Sequence, residues 1–279
     1  MKWFRLTFSL GNVIAATKCS LVYLVLIVFG LTTMSFTDPL NNRTSDPIAY
    51  STTDSAFFNN NLAVLNSNNV EINPDDVELN PQAVDFVEEY TEKQGEELER
   101  MKTWAKPYFD LYDTILTSYG VPKQMKYLSV IESHLVPGLV SWAGAVGPWQ
   151  IMPDEAKRFG LRRSGSVDER RDFAKSTAAA AILMKELYVK FGDWLLVVAA
   201  YNAGAGGVRK AIRKAGSRDF WALQNFLPAE TRNHVKKFIA THYIFEGGGG
   251  TTTMTAAEIQ AKKNELSLQR FSREHAITG

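Results

Sequence analysis

One cysteine, Cys19, stands among 279 residues. An internal disulfide is excluded, and so is a cysteine-built metal cluster. Histidine is scarce too, with only His134, His234, His242 and His275. None of them forms a His-Glu-x-x-His pair, so the sequence implies no structural metal and no cofactor. An excess of either charge is missing: 31 Lys and Arg against 30 Asp and Glu leave a formal net charge of +1. Nucleic-acid binders usually carry a strong basic excess, and no nucleic-acid partner is expected here. Internal repeats, coiled-coil heptads and strand-period alternation are also absent. No uninterrupted apolar run reaches the length of about twenty residues that a comfortable membrane span needs.

What is present begins at the N-terminus. Lys2, Arg5 and Lys18 precede an apolar run over residues 21–29, with a weaker apolar flank to Phe36. Basic first and apolar next is the order of an export signal. No Ala-x-Ala follows, so residues 1–36 read equally as a cleaved signal peptide or an uncleaved membrane anchor. Both readings export the rest of the chain. Cys19 lies before the run, directly behind Lys18, and does not read as a lipidated residue. Residues 37–82 carry Asn41-Asn42, Asn59-Asn60-Asn61 and Asn66-Ser67-Asn68-Asn69, with Pro39, Pro47, Pro74 and Pro81. Asn, Ser and Pro compete with regular backbone pairing, and the segment reads as a polar flexible linker.

Helical spacing then governs residues 83–246. Leu98, Met101, Ala105, Phe109, Tyr112, Ile115 and Leu116 follow steps of three and four. Glu96-Glu97 suits the start of that helix, Pro107 restarts or kinks it, and Gly120 ends it. Pro122 opens the next helix, with Met125, Leu128 and Ile131 on one face and Glu132 in its final turns. Pro137 and Gly138 are its expected stop. Further helices are predicted over residues 154–159, over 176–191 with Ser176 or Thr177 as cap, over 194–201, over 208–215, and from Pro228 to Gly247. The stretch 194–201 is almost wholly apolar and therefore central. The expected fold class is all-α, with short loops. Residues 247–279 form a Gly/Thr linker and a short amphipathic tail, which either crosses back onto the domain or hangs loose.

Three clusters carry chemistry: Ile131-Glu132-Ser133-His134, the segment Gly147-Pro148-Trp149-Gln150-Ile151-Met152-Pro153, and Ala200-Tyr201-Asn202-Ala203-Gly204. Glu132 is either a half-buried salt-bridging acid or a general acid at a cleft. Ser141 has a hydroxyl that can direct a carboxylate. Gly144 and Gly147 allow backbone to approach a ligand closely. Gln150 offers donor and acceptor to a sugar or an amide. Trp142 and Trp149 are either sugar platforms or core. Tyr201 points its hydroxyl into the cleft or simply ends an apolar helix, where Asn202 would be a cap. Glu230 follows Pro228 and is a helix-start acid or a second polar wall.

Together these segments resemble a lytic transglycosylase of the goose-type lysozyme-like superfamily, in its membrane-bound murein transglycosylase D group. The resemblance covers roughly residues 96–246. Glu132-Ser133 matches the family's catalytic Glu-Ser, Gly147 to Pro153 its Gly-x-x-Gln-x-Met-Pro, and Ala200 to Gly204 its Ala-Tyr-Asn-Ala-Gly. Residues 230–235 match its Glu-Thr-x-x-Tyr-Val, and 168–172 with Ser176-Thr177 also resemble this branch. The resemblance implies a lysozyme-like domain whose groove is lined by Glu132, Ser141, Gly147, Gln150, Met152, Tyr201, Asn202, Glu230 and His234. His234 departs from the family's Tyr, and the LysM modules common in this branch are not expected here. The implied partner is the glycan strand of peptidoglycan. The implied location is exported and periplasmic, with residues 18–36 as an inner-membrane anchor if uncleaved. Cleavage of the β-1,4 bond between N-acetylmuramic acid and N-acetylglucosamine would leave 1,6-anhydromuramic ends. One carboxyl, Glu132, would serve as acid and then base, and would need to hold its proton near neutral pH. Two competing readings stand beside it: a hydrolase with Asp154 or Glu155 as second acid, and a non-catalytic glycan-binding protein.

Overall fold

Apolar steps of three and four do build a helix, α1, but it is longer than its apolar core. The computed structural model describes residues 71–276. The expected export segment, and the Asn-rich stretch as far as residue 70, lie outside the described residues. Helix α1 spans Val84–Ser118 and buries Val87, Leu98, Met101, Ala105, Phe109, Tyr112 and Leu116 along one stripe. Glu96 is therefore mid-helix, where it pairs with Arg100 at 2.6 Å, instead of marking the start. Pro107 lies inside the helix without ending it. Ala105 and Phe109 are buried on either side, and that packing offsets a penalty of about 3 kcal/mol for interior proline.

A 3-10 turn over Lys123–Lys126 leads into α2 (Tyr127–Ser133). The helix stops before Pro137: His134 and Leu135 take left-handed φ values of 50° and 64° in succession. The loop that follows folds on itself through bridges from Val146 to Val140 and to Ile151. Helix α3 (Pro153–Arg158) comes next, then a minimal antiparallel hairpin of β1 (Arg163–Ser164) and β2 (Val167–Asp168).

Helix α4 (Phe173–Phe191) is capped by Asp172, whose carboxylate accepts from the Lys175 N–H at 2.9 Å. Ser176 and Thr177, the expected caps, lie inside the first turns and donate back to the Asp172 and Phe173 carbonyls, each at 2.5 Å. Helix α5 (Trp194–Ala215) joins the two expected helices through a bend at Gly204, with φ 71° and ψ 154°. Glycine takes that conformation without a Cβ penalty. Short α6 (Phe220–Leu223), α7 (Ala229–Glu246) and α8 (Ala256–Ala276) complete the chain.

The core is a helical assembly in which α1 packs on α7 and α4, and α5 packs on α4 and α7. The first half of α5 is its centre: Leu195, Leu196, Val197, Val198 and Ala199 are fully buried. A smaller cluster joins Ile72, Val77 and Met254, with Ile259 and Leu266 of α8 against it. Packed residues thus begin ahead of residue 83, and the start of the tail docks. The Asn80 side chain donates to Glu258 at 2.6 Å and the Ala256 N–H to Asp193 at 2.7 Å. Leu268 and Phe271 further along α8 stay exposed. Among the described residues no helix is long and apolar enough to cross a membrane.

Candidate active site

Helix α2 is short, yet it is fixed at both ends of its buried face. Leu128, Ser129 and Val130 are fully buried. The hydroxyls of Ser129 and Ser133, one turn apart, both donate to the Pro148 carbonyl at 2.8 Å. Tyr201, from α5, donates to the next carbonyl, Trp149, at 2.7 Å. The loop carrying Gly147 to Met152 is thereby clamped between α2 and α5.

Glu132 sits on α2 beside this clamp, with its side chain 16% exposed. Nε2 of His234, from α7, lies 3.2 Å from its Oε1. The approach is that of an ion-pair partner, but its angle is outside hydrogen-bond geometry, and Nε2 has no other hydrogen-bond partner among the described residues. Two more groups feel the Glu132 charge. Burial raises the Tyr201 hydroxyl well above its ordinary range, and the charges of Glu132 and then Glu155 push it further. Burial also raises the Glu155 carboxyl; the Met152 N–H and Arg158 pull it down, and the Glu132 charge adds to the rise. Glu132, Glu155, Tyr201 and His234, from four different helices, therefore share one electrostatic neighbourhood.

Other expected residues are placed with different emphasis. The Ser141 hydroxyl accepts from the Ala145 N–H at 3.0 Å and holds a tight turn. Gly147, at φ 86°, faces protein: a Cβ there would stand 2.0 Å from the Arg170 carbonyl oxygen. Gln150, itself at φ 47°, donates to the Gly147 carbonyl at 2.9 Å. Met152 is 38% exposed at the start of α3. Asn202 is no helix cap: it accepts from the Thr231 hydroxyl at 2.7 Å and ties α5 to α7. Glu230 is exposed in the first turn of α7, and the buried His234 follows one turn later. The tryptophans divide. Trp149 is fully buried and donates to Thr177 at 2.8 Å, whereas Trp142 is fully exposed.

Arg170 lies in the segment 168–172 that the sequence singled out, but without a role at the site. It is buried, pairs with Asp168 through Nη2 at 2.7 Å, and donates from Nη1 to the carbonyls of Gly144 at 2.8 Å and Ile151 at 3.1 Å. One guanidinium thus ties both limbs of the loop below Glu132. Beyond that resemblance its local signal was the Asp-x-Arg spacing, which is common on surfaces. Among the described residues no cluster of three or more His, Cys, Asp or Glu is arranged to hold a metal ion.

Residues 113–224 match the family model described as the transglycosylase SLT domain. The chain is similar to the membrane-bound lytic murein transglycosylase D of Escherichia coli strain K12, at 40% identity over 147 residues, which is 51% of this chain and 32% of that protein. The protein of the same name in Escherichia coli O6:H1 gives the same figures. Among solved structures, the 70 kDa soluble lytic transglycosylase SLT70 of Escherichia coli is similar at 29% identity, with a TM-score of 0.46 over 53% of this chain and 26% of that chain. The chain spans about a third of the length of the transglycosylase D proteins it matches. Four helices thus bring an acid, an imidazole, a phenol and a second carboxyl together around a clamped loop, and three of the four lie within residues 113–224, the segment that matches the transglycosylase SLT domain.

Proposed function

We propose that this chain is a peptidoglycan lytic transglycosylase in which Glu132 is the single acid and base. The observation that carries the reading is the half-buried Glu132 on a rigid helix, faced by His234, within an SLT domain. Its substrate is the β-1,4 bond between N-acetylmuramic acid and N-acetylglucosamine. Protonated Glu132 gives its proton to the glycosidic oxygen as the bond from C1 to that oxygen breaks. The C6 hydroxyl oxygen of the muramic residue then bonds to C1, and its proton passes to the Glu132 carboxylate. The enzyme is regenerated, and the product carries a 1,6-anhydromuramic end. An ordinary glycosidase uses two carboxyl groups; here no water requires activation. Ser141, Gly147, Gln150, Met152, Tyr201, Asn202, Glu230 and His234 shape the groove, several of them by fixing its walls. The names of the transglycosylase D relatives support this chemistry. The words murein and membrane-bound in those names support action on glycan strands and association with a membrane; export to the periplasm, with residues 18–36 as an inner-membrane anchor if uncleaved, rests on the basic-then-apolar order of the N-terminus.

The test is mass spectrometry of soluble products after incubation with purified sacculi. Anhydro ends are expected from the wild type, and Glu132→Gln should fold normally yet lose roughly 10²–10⁴-fold in rate, the usual worth of acid–base transfer. Wild-type rates from that variant would remove Glu132 from the reaction. A second reading, hydrolysis, is favoured by one observation: Glu155 feels the Glu132 charge and is itself raised. It would give free reducing ends and depend on Glu155. Against it, a Glu155 oxygen already accepts from the Met152 N–H at 3.1 Å, as a helix cap.

A further inference from the structure

Many cations of this fold face an acid: Lys126 pairs with Asp113, Arg158 with Glu186, Arg170 with Asp168 and Lys175 with Glu169. The end of α4 and the second half of α5 do not follow that pattern. Lys190, Arg209, Lys210, Arg213, Lys214 and Arg218 are all exposed. Among the described residues none of the six stands in an ion pair. No Asp or Glu occurs between Asp193 and Asp219. Both of those carboxylates are engaged by backbone N–H groups, of Leu196 and Ala256 at Asp193 and of Trp221 and Ala222 at Asp219. Arg209 and Arg213, like Lys210 and Lys214, are like charges four residues apart on one helix, a spacing that destabilises it. The whole chain carries a formal charge of only +1, so the charge is segregated to this face.

Four of the six converge. Lys190, Arg209, Arg213 and Arg218 line a cavity of about 340 Å³, together with Phe191 and Ile212. Arg218 is held in place by the carbonyls of Lys190 at 3.0 Å and Phe191 at 2.8 Å. Guanidinium forks match phosphate oxygens. Apolar lining beside the cations suits an amphipathic phosphate ester better than a bare ion. Lys210 and Lys214 extend the charge beyond the cavity, and Val189, 58% exposed, adjoins Lys190. One small anion cannot cover such an area; an array of headgroups can.

We propose that this face docks on an anionic phospholipid bilayer, with one phosphate headgroup seated in the cavity. The inference is independent of the glycan chemistry, because none of its residues belongs to the Glu132 neighbourhood.

The test is cosedimentation of the full-length protein with vesicles of phosphatidylcholine alone, and of phosphatidylcholine mixed with phosphatidylglycerol. The apolar run near the N-terminus can enter both, so the readout is the gain produced by the anionic lipid. That gain should be roughly tenfold or more and should collapse at about 0.5 M salt. The variant with Arg209, Lys210, Arg213 and Lys214 all changed to Gln should lose it. These side chains are exposed, and Gln is a comparable helix former. Circular dichroism checks the fold, and Arg209→Glu alone should weaken the gain if the fourfold variant misfolds. An equal gain in wild type and variants overturns the proposal. So does cation-dependent binding to purified sacculi with no vesicle gain, which would assign the face to anionic peptide stems. Saturable binding of inorganic phosphate with no vesicle gain overturns it as well.

Discussion

Nε2 of His234 lies 3.2 Å from the Glu132 carboxyl and makes no hydrogen bond among the described residues. His234→Gln keeps a donor and an acceptor beside the Glu132 carboxyl and should hold kcat within about tenfold of wild type, because the acid–base transfer itself is intact. His234→Leu removes both polar atoms and should lower kcat further than Gln does, with KM little changed. Equal kcat in the two variants would show that His234 only fills space. The residue scale was partly legible in the sequence. A half-buried glutamate is common, and Glu132-Ser133 stood out only through its company, the segments 147–153 and 200–204. Ser133 then proved to be the anchor of the Pro148 carbonyl. Gly147 was read as leaving room for a ligand, but the room is taken by the Arg170 backbone. A positive φ predicts a glycine without saying what approaches it.

Among the elements, α5 shows how a boundary can matter more than the interior. Its cap, Asp193, accepts from the Leu196 N–H at 3.1 Å and from the Ala256 N–H at 2.7 Å, joining the central helix to the start of α8. Burial pushes this carboxyl up to about 6, against hydrogen bonds that lower it. The folded value exceeds the unfolded one of about 3.9. The folded state therefore favours the protonated form, and this group's contribution to stability is greatest below pH 4 and lost as pH rises to about 6. Asp193→Asn is an equally good cap by type and does not titrate. Denaturant unfolding from pH 4 to 7 should show a decline in wild type, relative to the variant, of the order of 2–3 kcal/mol. Parallel curves would place the Asp193 charge in contact with solvent. Helix existence and order were readable from apolar spacing. Helix ends were less so, because they are settled by partners distant in sequence or by competing candidates. Asp172 caps α4 where Ser176 or Thr177 was expected to, and α1 starts well ahead of Glu96, with Val87 already buried.

At the scale of the whole molecule, residues 71–82 were read as linker and the tail as either docked or loose, yet each is the other's partner. Neither carries an apolar stripe long enough to stand out, and only their meeting buries one. Ile72 and Val77 pack with Met254, Ile259 and Leu266, and Asn80 donates to Glu258 across them. The described residues, 71–276, all fall within one compact unit. A fragment of residues 68–279 should therefore fold as the complete domain, and one of residues 83–279 should fold with a weakened margin. The shorter fragment keeps the main core, to which residues 71–82 add only the half-buried Leu79. It loses the burial of Ile72 and Val77, worth about 1.5–3 kcal/mol each as an upper bound, and exposes Met254. A net loss of about 3 kcal/mol would lower Tm by roughly 6–12 °C for a domain of this size. Thermal melts of the two fragments followed by circular dichroism decide the matter. Equal melting temperatures would mean that residues 71–82 merely lie on the surface. An 83–279 fragment with no cooperative transition would mean that this short segment is part of the folding core.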